Sequence, residues 1–342
     1  MRFACAAALT WARHRFKLEQ ITKSSRRHFL TATLSCASLS STIAANASAS
    51  SSDDRSGFRY CLNTATISGY RLNLADQIEV TAKAGYQAIE PWVSSIHEYG
   101  GGRTALADLR NRIADRGLTV ESAIAFPEWI VEDPGRRAKG LEQVRRDMEV
   151  VAQIGGRRIA MPPAGVQHEN GIALSRISER YRAVLELGDQ VGVVPELEFW
   201  GTSPYLNRLS QAAYVALEAS HSKACVLADV FHLYKGGSGF EGLRLLSGQA
   251  IQVIHLNDYP GNAPRVSISD RDRVYPGDGV APLSQILSDL QRVAPGVVLS
   301  LELFNSAYWK GDPLDTARTG LAKMKAAARG AAGMEHAGAK SG

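Results

Sequence analysis

Cysteine is scarce in this 342-residue chain, with four in all, too few for a scaffold stapled by disulfides. Cys5 and Cys36 fall in an N-terminal leader, while Cys61 and Cys225 sit inside apolar, strand-like runs far apart in order. That pair is expected to pack as free thiols rather than to bridge. Long apolar runs are also missing, and nothing reaches the roughly 20 apolar residues needed to span a bilayer. No glycine-rich dinucleotide fingerprint follows the first strand-like run, where Asn63-Thr64-Ala65 stands instead, which weighs against an open nucleotide-binding sheet. An excess of one charge is absent once the ends are separated. The formal net charge is +5 with a pI near 9.0. Seven of the 39 Lys and Arg, but one of the 34 Asp and Glu, lie within 1–49, leaving 32 against 33. A near-neutral body lacks the surface that tracks phosphates, so no nucleic-acid partner is expected.

The basic leader has its own grammar. Ser25-Arg26-Arg27-His28-Phe29-Leu30 precedes a mildly apolar, Ser/Ala-rich run and the small-residue steps Ala45-Asn46-Ala47 and Ala47-Ser48-Ala49. Paired arginines before a weakly hydrophobic run and an A-x-A site resemble a twin-arginine signal peptide. The expectation is a signal segment over 1–49, a Ser-rich linker over 50–57, and a mature protein exported to the periplasm by the twin-arginine machinery. Thr33 stands where a lipobox would need Leu, so Cys36 is not expected to carry lipid.

From residue 58 onward strand and helix signals alternate. Strands are predicted over 58–62, 88–90, 119–125, 158–161 and 193–199. Helices are predicted over 74–84, 106–116, 136–154 and 172–191, with another opened by Ser210 as its cap and running to 219. Three further apolar runs follow: C-V-L-A-D-V-F-H at 225–232, I-Q-V-I-H-L-N-D at 251–258 and V-V-L-S-L-E-L-F at 297–304. Each is rich in β-branched residues and Leu and turns polar near its C-terminal end, as a buried parallel strand does. Helices over 240–246, 283–293 and 315–328 complete the alternation, and glycines after helices mark their ends. Eight strands each followed by a helix predict a single-domain α/β fold, a closed (β/α)8 barrel over 58–329, with a disordered tail over 330–342.

In such barrels the chemistry sits at the C-terminal ends of the strands. Asp229, His255 and Glu302 close the last three runs, and the fifth strand offers Glu196 and Glu198, two apart and so on one face. Glu198 lies nearer the rim and is the expected fourth ligand; Glu196 is expected deeper, in an ion pair or hydrogen bond. Three carboxylates and one imidazole make a hard, oxygen-rich set for one divalent ion, Mn²⁺ first, with Mg²⁺, Co²⁺ or Zn²⁺ compatible. Open coordination positions would let the ion polarise the carbonyl of a polyol.

This arrangement resembles the xylose isomerase-like TIM barrel superfamily of sugar isomerases and epimerases, and within it the inosose (2-keto-myo-inositol) isomerase branch. The resemblance is carried by Leu62-Asn63-Thr64-Ala65-Thr66, L-E-F-W-G at 197–201, D-V-F-H at 229–232, I-H-L-N-D at 254–258, D-R-V-Y-P-G-D-G at 272–279 and S-L-E-L-F-N-S-A-Y-W-K at 300–310. It implies metal ligation by Glu198, Asp229, His255 and Glu302. It also implies a 1,2-proton transfer through a cis-enediolate, with Glu198 and Glu302 as the catalytic carboxylates. His232 and Arg273 are expected to contact substrate, as are Glu90 and Trp200. Asp258 is expected either to support the site or to cap the following loop. Trp92, Trp200, Tyr308 and Trp309 are expected around the pocket, and no role is assigned to Lys310. The partner expected is a polyol or keto-sugar, with a homo-oligomer left open.

A metal-dependent lyase acting on an inosose or a 3-keto-glycoside begins with the same proton abstraction, and export favours it, because intracellular inositol catabolism needs no leader. A non-catalytic sugar-binding module has no need of two carboxylates beside a metal. An apurinic endonuclease of the trinuclear-zinc type would need extra His ligands, whereas Asp272-Arg273-Val274 stands where its D-x-H turn would fall.

Overall fold

A computed structural model describes residues 57–100, 102–167 and 171–338. The predicted signal segment and all but the last residue of the linker lie outside these residues. Eight parallel strands run β1 (Arg59–Asn63), β2 (Ala88–Glu90), β3 (Thr119–Val120), β4 (Arg158–Met161), β5 (Val194–Glu198), β6 (Val226–Asp229), β7 (Val253–Leu256) and β8 (Val298–Leu301). Their hydrogen-bonded order is β3-β2-β1-β8-β7-β6-β5-β4. The remaining seam is closed by Ile124, which bridges Trp92 on one side and Ala160 on the other. The chain therefore forms a TIM barrel.

Nine helices are described: α1 (Leu74–Ala84), α2 (Val93–Tyr99), α3 (Arg103–Asp115), α4 (Pro134–Gln153), α5 (Leu174–Val191), α6 (Leu209–Glu218), α7 (Val230–Gly236), α8 (Leu283–Val293) and α9 (Pro313–Gly338). Local chemistry sets their ends. The Asn73 side chain accepts the Asp76 N–H to cap α1, and Gly85 closes that helix in the left-handed region. Asp133 caps α4 with Pro134 in its first turn, where the missing N–H costs nothing.

Several boundaries differ from expectation. β3 is two residues long, and the rest of 119–125 continues as extended chain reaching only the Ile124 bridge. Ser210 lies inside α6 instead of capping it; Arg208 holds the cap position, its N–H bonded to the Gln211 side chain. The stretch 240–246 forms a short 3₁₀ turn over Glu241–Leu245. Helices α2 and α7 follow their strands almost directly and were not expected. The last helix does not stop near 328: α9 continues to Gly338, because the Ala-rich run favours helix over coil.

Alternation along the strands decides what fills the barrel. Cys61, Ala88, Ala160, Leu227, Val253 and Val298 form a small apolar cluster with Ile124, separate from the larger core that includes residues of the outer helices. Two residues further along, the same face carries Asn63, Glu90, Asp229, His255 and Ser300 on five of these six strands and Pro162 after β4, since side chains two apart share a face. The interior is thus apolar toward the N-terminal end and polar toward the C-terminal end. Cys61 and Cys225 are buried free thiols. Among the described residues no helix is long and apolar enough to cross a membrane.

Candidate metal and substrate site

The ligand atoms of Asp229, His255 and Glu302 lie within 4.8 Å of one another. Strand register explains this: Asp229 pairs with His255 across β6 and β7, and His255 pairs with Ser300 across β7 and β8, two residues before Glu302. Glu198, at the end of β5, is set slightly apart, with Oε1 3.9 Å from His255 Nδ1. Asp229 also caps α7, its Oδ1 accepting the His232 N–H at 3.0 Å, so the helix start fixes the carboxylate.

His255 is fully buried and held from behind. Its Nε2 lies 3.1 Å from Glu90 Oε2, which also accepts from Asn63 Nδ2 at 3.0 Å and Ser300 Oγ at 2.6 Å. A ring donating Nε2–H to Glu90 turns the Nδ1 lone pair toward Asp229, Glu198 and Glu302, at 3.6, 3.9 and 3.1 Å. None of those approaches has hydrogen-bond geometry, and Nδ1 is a buried nitrogen without a partner. An imidazole nitrogen aimed at three carboxylate groups and left unpaired is what a divalent cation needs, and the donor set fits one. Glu198, Asp229, His255 and Glu302 are the residues that can hold it.

The electrostatics agree. Burial alone would lower the His255 pKa, but Glu302 and Glu90 outweigh it and hold the ring well above the ordinary histidine range. Burial, with Glu302 and Asp229 adding like charge, pushes Glu198 up to about 8. Asp229 would also be raised by burial, yet Arg273 and His232 bring it well below the usual carboxylate range. The cluster attracts positive charge.

Arg273 supplies some of that charge. Its guanidinium is buried, donates to Asp229 Oδ2 at 2.7 Å and Glu302 Oε2 at 2.9 Å, and is gripped by Asp270 Oδ1. Phe231 and Phe304 flank it, at 4.8 and 5.2 Å from its central carbon. Asp258 settles as a loop cap: its carboxylate accepts the N–H groups of Gly277, Gly279 and Ala281. A Cβ on Gly279 would run into that carboxylate and the Tyr259 carbonyl, so the P-G-D-G turn requires glycine there. The turn in turn anchors Arg273, because Asp258 and Val274 exchange backbone hydrogen bonds.

Above the cluster opens a cleft of about 620 Å³, whose floor includes Glu198, His232, Arg273 and Glu302. His232 accepts from Arg273 through Nε2, leaving Nδ1 buried without a partner; burial pulls its pKa below the ordinary value despite Asp229. Trp92, Trp200 and Trp309 line the walls as expected. Two expectations are corrected. Glu90 is not on the pocket wall: it is fully buried against His255, its carboxylate taken up by His255, Asn63 and Ser300. Tyr308 stacks on Tyr275 at 4.1 Å, away from the cleft. Glu196 is buried beneath Glu198, 3.9 Å from Arg158 Nε, in the deeper position foreseen. Phe126, Phe304 and the seam residue Ile124 line the cleft unforeseen; only the barrel closure brings them there. Lys310 is not among the lining residues.

A cluster of candidate metal ligands at the C-terminal end of a (β/α)8 barrel defines a class, and the chain belongs to it: the xylose isomerase-like TIM barrel family matches over residues 78–327. Among individual relatives, an inosose isomerase of Bacillus licheniformis is 26% identical over 266 residues, covering 76% of this chain and 94% of that protein. A 3-dehydroshikimate dehydratase of Pseudomonas putida is 22% identical over 262 residues, 76% of this chain and 40% of its own length. The crystal structure of IolI with a bound zinc superposes with a TM-score of 0.73 at 23% identity, covering 79% of this chain and 98% of that one. This chain is therefore an enzyme of the isomerase and epimerase kind.

Proposed function

We propose that this protein is a divalent-metal-dependent isomerase or epimerase of a keto-sugar or keto-inositol. The observation that carries the reading is the unpartnered Nδ1 of His255, facing three carboxylates at the base of an open cleft. A divalent ion held by Glu198, Asp229, His255 and Glu302 would supply Lewis-acid polarisation of a carbonyl. The protein's own groups account for the rest. Arg273, whose donors are taken by Asp229, Glu302, Asp270 and His232, holds these groups in place beside the substrate on the floor of the cleft. Glu198, which ends β5 on the floor of the cleft, is the carboxylate placed to take the proton α to the ketone. Glu302, also on the floor, would deliver a proton taken up from solvent at the neighbouring carbon while the proton on Glu198 passes to solvent and the hydroxyl proton moves between the two enediolate oxygens, so no net proton is gained or lost.

Similarity to the dehydratase supports a second reading, in which the same abstraction ends in loss of a leaving group. The experiment that separates them incubates metal-reconstituted protein with keto-inositols and 3-keto-glycosides in D₂O, followed by NMR. Deuterium beside the ketone with an intact ring and no eliminated group supports the isomerase; an eliminated group supports the lyase. Glu198→Gln and Glu302→Gln each abolish exchange, and exchange retained in Glu302→Gln removes that residue from the chemistry. The leader supports a companion proposal of periplasmic export, checked by fractionating a culture and probing for mature protein outside the cytoplasm.

A further inference from the structure

The outer half of the cleft is lined differently from its floor. Trp92 meets Phe126 edge-on, with centroids 5.2 Å apart and planes at 73°. Phe126 lies 6.0 Å from Trp200, and Trp92 lies 6.4 Å from Phe304, both tilted. These four rings come from four different strand-to-helix segments and form one arc on the wall. Phe126 is 41% exposed although it touches two of the others. The lining outside the floor also carries the polar residues Gln167, Thr202, Asp270, Arg271 and Ser306, but the four rings make its one run of touching apolar side chains. A contiguous apolar surface left open at a cleft marks a ligand contact. The space exceeds what the floor chemistry requires, since about 620 Å³ lies in the range that holds drug-sized ligands.

Resting on the proposed function for where the polyol sits, we propose that the arc of Trp92, Phe126, Trp200 and Phe304 is a subsite for an aromatic ring attached to the substrate's polyol ring. The substrate class is then an aryl-bearing conjugate, such as an aryl keto-glycoside, rather than a free monosaccharide or inositol. Tilted and edge-on neighbours leave ring faces and edges for an incoming aromatic ring, which prefers such contacts over a face-to-face sandwich. Phe126 is the residue best suited to set this preference, because it is exposed and its ring packs on Trp92 and Trp200.

The test measures binding apart from turnover. Methyl glucopyranoside, phenyl glucopyranoside and cellobiose are titrated into zinc-loaded protein by calorimetry, with saturation-transfer NMR reporting which protons contact the protein. The expected result is phenyl glucopyranoside binding about tenfold more tightly than the methyl compound, the size of one or two ring contacts. Saturation should fall on the phenyl protons, and the preference should be lost in Phe126→Ala and retained in Phe126→Tyr. Equal or absent binding of the two glucosides overturns the subsite, as does a preference that survives Phe126→Ala. Cellobiose binding more tightly than the phenyl compound overturns the aromatic assignment. Phenyl-specific binding without any solvent exchange into keto-substrates would defeat the isomerase reading and leave the subsite standing.

Discussion

Replacing Glu90 by Gln tests the idea that this fully buried carboxylate prepares His255 for a cation. In the wild type Glu90 Oε2 receives three donors, and Oε1 also lies 3.3 Å from His255 Nε2. Gln can keep its oxygen at the three-donor position, but its NH₂ then replaces Oε1 and faces the ring N–H, donor against donor. The ring loses its anionic partner and with it basicity at Nδ1. Loss of such a support costs about 10–100-fold in metal affinity, or roughly 1.4–2.7 kcal/mol. A second effect has the opposite sign. Glu90 helps hold the His255 pKa high, so a metal binding near neutrality must displace a proton, and Glu90→Gln eases that displacement. The weakening is therefore smaller at pH 7 and approaches its full value as pH rises and the wild-type ring loses its proton. Competition against a chelator of known affinity at both ends of that range, with circular dichroism confirming the fold, provides the measurement. An affinity unchanged within twofold at the alkaline end, or weakening that shrinks with pH, refutes the reasoning.

The remaining predictions concern the groups around that pair. Arg273→Ala leaves Asp229 and Glu302 without their buried cation, so the metal-free protein should lose about 3–5 kcal/mol. Thermal melts should show a smaller loss when metal is bound; equal losses would mean Arg273 and the ion do not share these carboxylates. Glu196 is pushed to about 8, chiefly by burial and despite Arg158. Because this folded pKa lies above the unfolded value, its contribution is full below about 4.5 and is lost as pH rises toward 8, by up to about 1.4 kcal/mol per pH unit. Glu196→Gln should accordingly gain stability relative to wild type between pH 5 and 8 and stay level above; parallel stability curves would show that Glu196 is not buried as an acid. Glu198→Gln and Glu302→Gln should abolish solvent exchange, each measured by NMR in D₂O.

The part of the fold and site legible in the residues alone is the part governed by periodicity. Apolar runs that end in a single polar group can only be buried strands with their chemistry at the rim, so Asp229, His255 and Glu302 were legible as a set. The two-residue period likewise separated Glu198 from the deeper Glu196. Alternation of strands with glycine-terminated helices gave the barrel. Tertiary structure decided what depends on closure and depth. Whether Glu90 meets substrate or supports His255 turns on where β2 ends relative to β7, a register that local residues do not encode. Phe126 and Phe304 reach the cleft because Ile124 bridges the seam beside β4 and because Glu302 precedes Phe304 at the rim. Asp258 could be read two ways until the turn over 275–281 folded back and offered it three backbone N–H groups. Local pattern reports which face a side chain occupies. Contacts between segments up to 239 residues apart, such as Asn63 with Glu302, exist only after the sheet has closed.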